Sequence, residues 1–204
     1  MYQFTIKANG YLKKDTLAFY HTAYVGYQRP GNPDFINALK NTFDENCEWE
    51  LSSDINQLNA VLRSDLPIIY QKFGSLTVCV VPRAKALMNY SSDQLLFKST
   101  IQKYVNNSKG NFLDGTDYII RHTNTKTTHL SKAINVRNDG EMPYIGITSD
   151  TCEISSLITG KRILLIDDIY TASINIDEDC IQALYDNGAN EVVFYAVAKT
   201  IRRF

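Results

Sequence analysis

The sequence of 204 residues has few of the features that mark membrane or nucleic-acid-binding proteins. No apolar run approaches the length that crosses a bilayer, and the first residues lack the organisation of a signal peptide. The formal net charge is -1, which argues against a broadly basic surface for nucleic acid. We therefore expect no membrane association and no direct contact with nucleic acid.

Cysteine is also scarce, and its four occurrences are scattered at Cys47, Cys79, Cys152 and Cys180. No C-x-x-C spacing is present, which disfavours disulfide pairing and metal binding and predicts a reducing, cytoplasmic location. His122 and His129 have no cysteine or carboxylate at metal-ligand spacing, so a histidine metal site is disfavoured too. The length suits one domain, with or without a small appendage.

The most informative stretch runs from Lys161 to Leu184. Ile163 to Ile166 is an unbroken apolar run that predicts a strand buried on both faces of a parallel sheet. Asp167 and Asp168 follow the run, and a small hydroxyl-bearing turn follows them. A helical pattern then begins, for which Asn175 is the expected N-cap, with Glu178 completing a capping box.

Strand, acidic pair, turn and helix start together predict an anion site beside a site for hydroxyl groups. Backbone N–H groups of the turn and of the helix start suit a phosphate. Two carboxylates next to them suit sugar hydroxyls or the hydration shell of a magnesium ion. An ordinary strand–helix unit with a solvated acidic turn is the alternative interpretation.

The stretch from Leu165 to Ser173 resembles the ribose 5-phosphate-binding motif of the type I phosphoribosyltransferases. That motif has apolar residues, two acids, two variable residues, and then Thr-Thr-Gly or Thr-Ala-Gly. Gly188-Ala189-Asn190 before an apolar strand is also typical of the family. The sequence departs from the motif at Ser173, where the family has glycine, so we expect a serine in a left-handed conformation and a weakened phosphate site.

The first third of the chain shows secondary-structure patterns but no readable chemistry. Tyr2 to Ile6 alternates like a strand, whereas Tyr20 to Tyr27 fits either a strand or a helix. A helix capped by Asn32 is expected to turn Ile36, Leu39 and Phe43 inward. A longer helix from about Ser53 carries an apolar face, and Pro67 is expected to bend or interrupt it.

Leu76 to Val81 predicts a second buried strand, followed by Pro82-Arg83-Ala84-Lys85. Two cations at the carboxyl end of a parallel strand suit a diphosphate. This turn resembles the pyrophosphate-binding turn of the family, and especially that of the competence-protein ComF-like, amidophosphoribosyltransferase-like branch. A solvated basic turn is the alternative. Ser91 and Gln94 then predict a capping box before the next helix.

Thr116 to Ile120 is interpreted as another core strand, leading into a polar, cation-bearing stretch that begins at Arg121. Arg121, Leu130-Ser131 and Arg137 resemble the loop that closes over the diphosphate in the family, although a plain surface loop is also possible. The polar composition predicts a poorly ordered segment. Further strands are expected over Met142–Ile147 and Glu191–Ala198.

The resemblance implies a type I phosphoribosyltransferase fold, an α/β architecture with a central, mostly parallel sheet flanked by helices. Residues 76–204 would form the core, and residues 1–75 an N-terminal hood or cap within the same domain. The implied ligand is phosphoribosyl pyrophosphate with Mg²⁺, and the implied reaction transfers the phosphoribosyl group to an unknown nitrogen acceptor. Members of the family usually form homodimers, so the resemblance implies a homodimer here. The alternative is a non-catalytic sensor or partner-docking module, with a link to DNA uptake through a partner.

The resemblance also assigns roles to individual residues. Asp167 and Asp168 would be the catalytic acids and would hold the magnesium ion, either directly or through water. Two further sets of residues would bind the phosphates of the ligand. The first would bind the 5-phosphate (Thr171, Ala172, Ser173, Ile174, Asn175), and the second would bind the pyrophosphate (Arg83, Ala84, Lys85, Arg121, Lys126).

Overall fold

A six-stranded sheet in the order β1-β2-β8-β7-β3-β4 forms the centre of the computed structural model, which describes residues 1–126 and 146–201. β1 runs antiparallel to β2, and every other neighbouring pair is parallel. The strands of this sheet are β1 (Tyr2–Ile6), β2 (Thr16–Tyr24), β3 (Leu76–Val80), β4 (Phe112–Asp114), β7 (Arg162–Tyr170) and β8 (Glu191–Thr200). β5 (Ile119–Arg121) and β6 (Cys152–Ile154) form a separate antiparallel ribbon.

Four α-helices flank the sheet: α1 (Phe35–Lys40), α2 (Ser52–Phe73), α3 (Leu96–Asn106) and α4 (Ile176–Asp186). Apolar residues of α1, α2 and α3 share one buried cluster with alternate residues of the central strands. Residues of α4 join the cluster on the opposite face, together with Ile119 and Cys152 of the ribbon. The architecture is therefore a mostly parallel sheet covered by helices on both faces, as the sequence predicted.

The buried strands follow from their apolar runs. Every residue of β3 is buried, and so are the four residues Ile163 to Ile166 of β7. A strand of a parallel sheet is covered on both faces, so it lacks the polar alternation of a half-exposed strand. The predictions for β3, β7 and β8 are confirmed.

The first 75 residues contribute to the same sheet. β2 pairs with β8 along most of its length, for example Phe19 with Tyr195, and β1 adds an antiparallel edge. The segment around Tyr20 is thus a strand, which decides between the two interpretations of its spacing. Phe43, expected to face inward, is instead 59% exposed because α1 ends at Lys40.

α2 continues through Pro67 for two further turns, so the expected interruption is absent. Pro67 lies on the exposed side of the helix, while Leu62, Leu66 and Ile69 are completely buried on the other side. The packing of this apolar face outweighs the hydrogen bond that proline cannot donate. No helix in residues 1–126 or 146–201 is both long and apolar enough to cross a membrane.

The predicted core strand Thr116–Ile120 is wrong. The strand beside β3 is the shorter β4, which ends at Asp114, and the chain then turns away into the ribbon. Asp114 accepts hydrogen bonds from the backbone N–H and the hydroxyl of Thr116. Gly115 approaches β3 so closely that a Cβ there would lie 2.6 Å from Cγ2 of Thr77. This polar turn breaks the strand in two.

The order of the strands has a topological switch point between β3 and β7. From β3 the chain crosses over α3 to β4 on one side, and from β7 it crosses over α4 to β8 on the other side. β3 and β7 are neighbours, and their following helices lie on opposite faces. In open α/β sheets such a switch point leaves a crevice at the carboxyl ends of the two strands, where ligands bind.

Candidate functional site

The carboxyl ends of β3 and β7 bring together two of the sequence-predicted groups. Val80 pairs with Ile166, and the N–H of Val81 donates a 2.9 Å hydrogen bond to the carbonyl of Ile166. The turn that starts at Pro82 therefore lies beside the acidic pair that follows Ile166. Parallel pairing places both groups at the same edge of the sheet.

Asp167 and Asp168 lie within β7, which continues to Tyr170. Consecutive side chains of a strand point to opposite faces. The structure shows this for the pair, since Asp167 contacts α4 whereas Asp168 contacts α1. For both acids to contact a ligand on the same side, the turn that follows β7 would have to begin at Asp167. It begins at Thr171 instead, and the two acids therefore have different surroundings.

Asp168 forms an ion pair with Lys40, the last residue of α1, at 2.8 Å between Nζ and Oδ2. Both side chains are largely enclosed, with 18% of Lys40 and 15% of Asp168 exposed. Burial alone would lower the pKa of Lys40, but the carboxylates of Asp168 and Asp167 more than offset it and raise that pKa. Lys40 is therefore a cation of the candidate site.

Sequence reasoning missed Lys40. A lysine at the end of an amphipathic helix usually interacts with the helix's own last carbonyls and marks no site. Its partner lies in a strand far along the chain, so no local spacing connects the two. Only the packing of α1 against the sheet brings them together.

Asp167 is hydrogen-bonded to Asp177 in the first turn of α4. Burial and the neighbouring charge of Asp168 raise the pKa of Asp167 to about 7. Burial and the charge of Asp167 raise the pKa of Asp177 well above its ordinary value. Asp177 is therefore the donor to Asp167 in this pair, because two buried carboxylates in contact disfavour each other's ionisation.

The remaining acids of that turn are also engaged. Glu178 accepts a 2.8 Å hydrogen bond from the hydroxyl of Tyr170, and Asp179 accepts one of 2.8 Å from the backbone N–H of Ile147. Glu178 therefore does not reach back to Asn175, and Asn175 makes no side-chain cap, so the predicted capping box is wrong. The buried hydroxyl of Tyr170 competes successfully for the Glu178 carboxylate.

The loop from Thr171 to Asn175 lies beyond the end of β7. The hydroxyls of Thr171 and Thr200 are 2.6 Å apart, which ties the start of the loop to β8. Ala172 and Ser173 are exposed, and no acceptor within the described chain takes a hydrogen bond from their backbone N–H groups. Two donors at a helix start, open to solvent, suit an anion.

The left-handed residue of this loop is Asn175, with φ of 61°, and not Ser173. The expected strain at Ser173 is therefore absent. Asparagine tolerates this conformation better than most residues. Its side-chain oxygen accepts a 3.2 Å hydrogen bond from the amide of Asn9, which links the loop to the first hairpin.

Arg83 points into the structure. Its guanidinium donates a 2.7 Å hydrogen bond to the carbonyl of Lys40 and another to the carbonyl of Gln94. It also stacks over the ring of Tyr90 at 4.3 Å. Burial lowers the pKa of Arg83, partly offset by Tyr90 and Asp168. The guanidinium thus fixes the end of α1, where Lys40 stands, instead of projecting from the turn.

Arg121 also points inward and is more deeply buried than Arg83, at 5% exposure. Its Nε donates to the carbonyl of Arg83 at 2.9 Å, and a longer contact of 3.5 Å joins Nη1 to the carbonyl of Gly146. The following residues also hold the β3 turn, because Thr125 donates to Ala84 and the side chain of Asn124 accepts from Ala86. The segment up to Lys126 is thus attached to the turn.

Part of the predicted closing loop lies outside the described residues, including His129, Leu130-Ser131 and Arg137. The same holds for most of the strand predicted over Met142–Ile147, and its last two residues, Gly146 and Ile147, are not in a strand. The predicted capping box of Ser91 and Gln94 is confirmed. Gln94 also donates to the carbonyl of Asn41 at 3.1 Å, which fastens this turn to the end of α1.

The site thus combines a two-sided acidic pair, an internal cation from α1 and a loop with open N–H groups. A family scan finds no model that matches the chain, and no curated protein matches it in sequence. The geometry therefore has to carry the functional argument.

Proposed function

We propose that the chain has the type I phosphoribosyltransferase fold and binds phosphoribosyl pyrophosphate in the crevice between β3 and β7. The observation that carries this proposal is the meeting of two motifs at one switch point. The acidic pair with its loop ends β7, and the Pro82 turn ends the neighbouring β3. A ligand with a phosphate, a sugar and a diphosphate presents the groups that these motifs suit.

The 5-phosphate would bind at the loop from Thr171 to Asn175, through the open N–H groups of Ala172 and Ser173. The start of α4 adds the positive end of its helix dipole. Three acids in its first turn would oppose an anion if all were charged. Burial and the charge of Asp167 raise the pKa of Asp177 and so disfavour its charged form, and Glu178 is buried at the hydroxyl of Tyr170. Both effects reduce the repulsion of a bound phosphate.

The ribose would lie against Asp168, whose carboxylate accepts hydrogen bonds from its hydroxyls. In the proposed reaction a nitrogen acceptor displaces pyrophosphate from the anomeric carbon. Positive charge develops on the sugar and negative charge on the leaving group. Asp167 and Asp168 would stabilise the positive charge on the sugar. No covalent nucleophile is needed, because positioning and electrostatics supply the catalysis.

The two arginines that are expected at the pyrophosphate point inward in the structure. The guanidinium groups of Arg83 and Arg121 are engaged with backbone carbonyls. Lys85 and Lys126 adjoin the Ala84 turn and are the proposed side-chain contacts to the diphosphate. Arg83 and Arg121 would act by holding that turn and α1 in place.

The residues do not fit a resident magnesium ion. Oδ2 of Asp168 already meets the ammonium of Lys40, and Asp167 shares a proton with Asp177. In residues 1–126 and 146–201, no three histidine, cysteine, aspartate or glutamate side chains are grouped to hold a metal ion. The proposed reaction is therefore derived without a step through a protein-bound metal.

The second candidate is a non-catalytic module that senses a phosphoribosyl ligand or a nucleotide. The internal positions of Arg83 and Arg121 favour it, because they leave fewer cations for a departing diphosphate than for a single phosphate. A sensor would bind ribose 5-phosphate or a nucleoside monophosphate as tightly as phosphoribosyl pyrophosphate. An enzyme would in addition release pyrophosphate in the presence of a suitable base.

Calorimetric titration with phosphoribosyl pyrophosphate, ribose 5-phosphate and nucleoside monophosphates tests both candidates. We expect binding by the wild type, loss of binding in Asp167→Asn/Asp168→Asn, and retention in the exposed control Asp150→Asn. Absence of binding for every ligand contradicts the proposal. Pyrophosphate release with a panel of purine and pyrimidine bases then separates enzyme from sensor, and light scattering tests the homodimer that the resemblance implies.

A further inference from the structure

We propose that the ammonium of Lys40 is the resident cation of this site and occupies the place beside Asp168 that a divalent metal ion would otherwise take. Nζ of Lys40 lies 2.8 Å from Oδ2 of Asp168, and both side chains are largely enclosed. The ammonium takes up part of the acceptor capacity of this carboxylate and repels a second cation. The side chain therefore disfavours a divalent ion at Asp168.

The position of Lys40 is built into the fold. The carbonyl of Lys40 accepts a hydrogen bond from Arg83, and Arg83 also holds the carbonyl of Gln94. Gln94 in turn donates to the carbonyl of Asn41, the residue that follows α1. Asn41 is buried, and its side chain closes the next turn by accepting from the N–H groups of Glu45 and Asn46.

These contacts fix the helix end from three directions, so the lysine stem starts from a rigid point. A surface ion pair has two flexible partners and contributes little. This pair has a carboxylate on a central strand and an ammonium on a fastened helix end. The arrangement is that of a preorganised site.

The charges around Lys40 agree with a cation as its permanent occupant. Asp168 contacts it directly, and the carboxylate of Asp167 attracts it from the other face of β7. Arg83 is the neighbouring positive charge and opposes it. The Asp168 side of the crevice is thus neutralised within the chain, and a second, divalent cation would meet two positive charges there.

The consequence for ligands rests on the proposed function. An ammonium carries three N–H donors, and the direction of one toward Asp168 leaves the others for ligand oxygens. Lys40 would then contact a sugar hydroxyl or a phosphate oxygen beside Asp168. Binding of a phosphoribosyl ligand at this site would need no added metal ion.

Manganese binding tests the inference directly, without any organic ligand. Mn²⁺ is titrated into the wild type, Lys40→Met, Lys40→Arg and Lys40→Met/Asp168→Asn, with free Mn²⁺ followed by electron paramagnetic resonance. We expect weak binding by the wild type and by Lys40→Arg. Lys40→Met should bind one ion at least about tenfold more tightly, because an enclosed carboxylate has lost the ammonium that faces it. The double variant should return to weak binding.

Equal Mn²⁺ affinity of the wild type and Lys40→Met overturns the inference. Circular dichroism checks that each variant is folded. If Lys40→Met does not fold, Lys40→Gln replaces it. One outcome needs no lysine variant: the inference is overturned if the wild type binds Mn²⁺ tightly and Asp168→Asn abolishes that binding.

A second measurement separates this inference from the proposed function. Ribose 5-phosphate binding to the wild type should change less than about twofold when EDTA is added, since a factor of two is only a few tenths of a kcal/mol. Loss of binding in EDTA overturns the inference and leaves the proposed function standing. No binding in any condition contradicts the proposed function, and the Mn²⁺ titration still decides on Lys40.

Discussion

The hydroxyl of Tyr195 in β8 donates a 3.0 Å hydrogen bond to Oδ2 of Asp65 in α2, which joins the middle of the sheet to the helix that covers it. Asp65 is completely buried, and Nδ1 of His21 lies 3.0 Å from the same oxygen. Burial would raise the pKa of Asp65, but the hydrogen bonds from His21 and Tyr195 more than offset it, and the pKa is lowered.

Tyr195→Phe should lower the free energy of unfolding by about 1–2 kcal/mol, because it removes a donor from a buried carboxylate. The exposed Tyr27→Phe is the matched control and should change little. Since the lowered pKa makes Asp65 stabilising only while it is ionised, this contribution is present above about pH 4 and lost as the pH falls through the folded-state pKa. Urea unfolding at pH 7 and an acid titration of both variants check the two parts.

Asp177→Asn should change the pH dependence of stability between about pH 4 and 8, whereas the contribution of Asp65 changes only at more acidic pH. The pKa of Asp167 is raised from 3.8 to about 7 in the folded state, so the contribution of this pair falls as the pH rises from about 4 through 7. An asparagine amide donates to Asp167 without a shared proton. We expect the variant to gain about 1–2 kcal/mol relative to the wild type at pH 8 and little at pH 5.

Thermal unfolding of the wild type, Asp177→Asn and the exposed control Asp150→Asn at several pH values between 5 and 8 measures this difference. A parallel shift of Asp177→Asn at every pH would contradict the shared proton. It would show that Asp177 acts only through packing at the start of α4.

Substitutions in the loop after β7 should follow the backbone conformations found there. Asn175 is left-handed, so Asn175→Gly should be nearly neutral, whereas Asn175→Ala should cost about 1–2 kcal/mol. Ser173 is outside that region, so Ser173→Gly should lose about 0.4–1 kcal/mol through the greater freedom of the unfolded chain. Denaturant unfolding of the three variants gives the comparison. A more stable Ser173→Gly variant would show that Ser173 is strained after all.

Arg83→Met should destabilise the protein by about 1–3 kcal/mol, because two partly buried carbonyls lose a charged donor. The exposed Arg63→Met is the control. Hydrogen exchange should become faster around residues 38–46 in Arg83→Met only. A stable variant that has lost only affinity for diphosphate would assign Arg83 to ligand binding instead of to the anchoring of α1.

The parts of the fold that could be predicted are those encoded in short windows. The apolar run before Asp167 predicted β7, and the Ser91–Gln94 spacing predicted its capping box. The β4 strand could not be found, because three residues give no period, and the neighbouring Thr116–Ile120 stretch has more strand-forming residues. Gly115, which approaches Thr77 closely, was the one local signal of the break.

The candidate site also has features that the sequence predicts and features that only the folded structure shows. The acidic pair and the loop follow from the motif, but the partners of each acid depend on tertiary packing. Lys40 reaches Asp168 from α1, and Tyr170 takes Glu178 away from the expected cap. Arg83 and Arg121 were predicted from the sequence as pyrophosphate contacts, whereas their inward direction depends on carbonyls of α1 and of the β3 turn.

The position of β2 between β1 and β8 has a consequence for folding during synthesis. β1 and β2 leave the ribosome before the other strands of this sheet and can pair with each other at once, since they form a hairpin. The other edge of β2 has to wait for β8, the last strand of the sheet in chain order. Until then Phe19 and the unpaired backbone of β2 are exposed. The nascent chain therefore presents an aggregation-prone strand edge that a chaperone can cover.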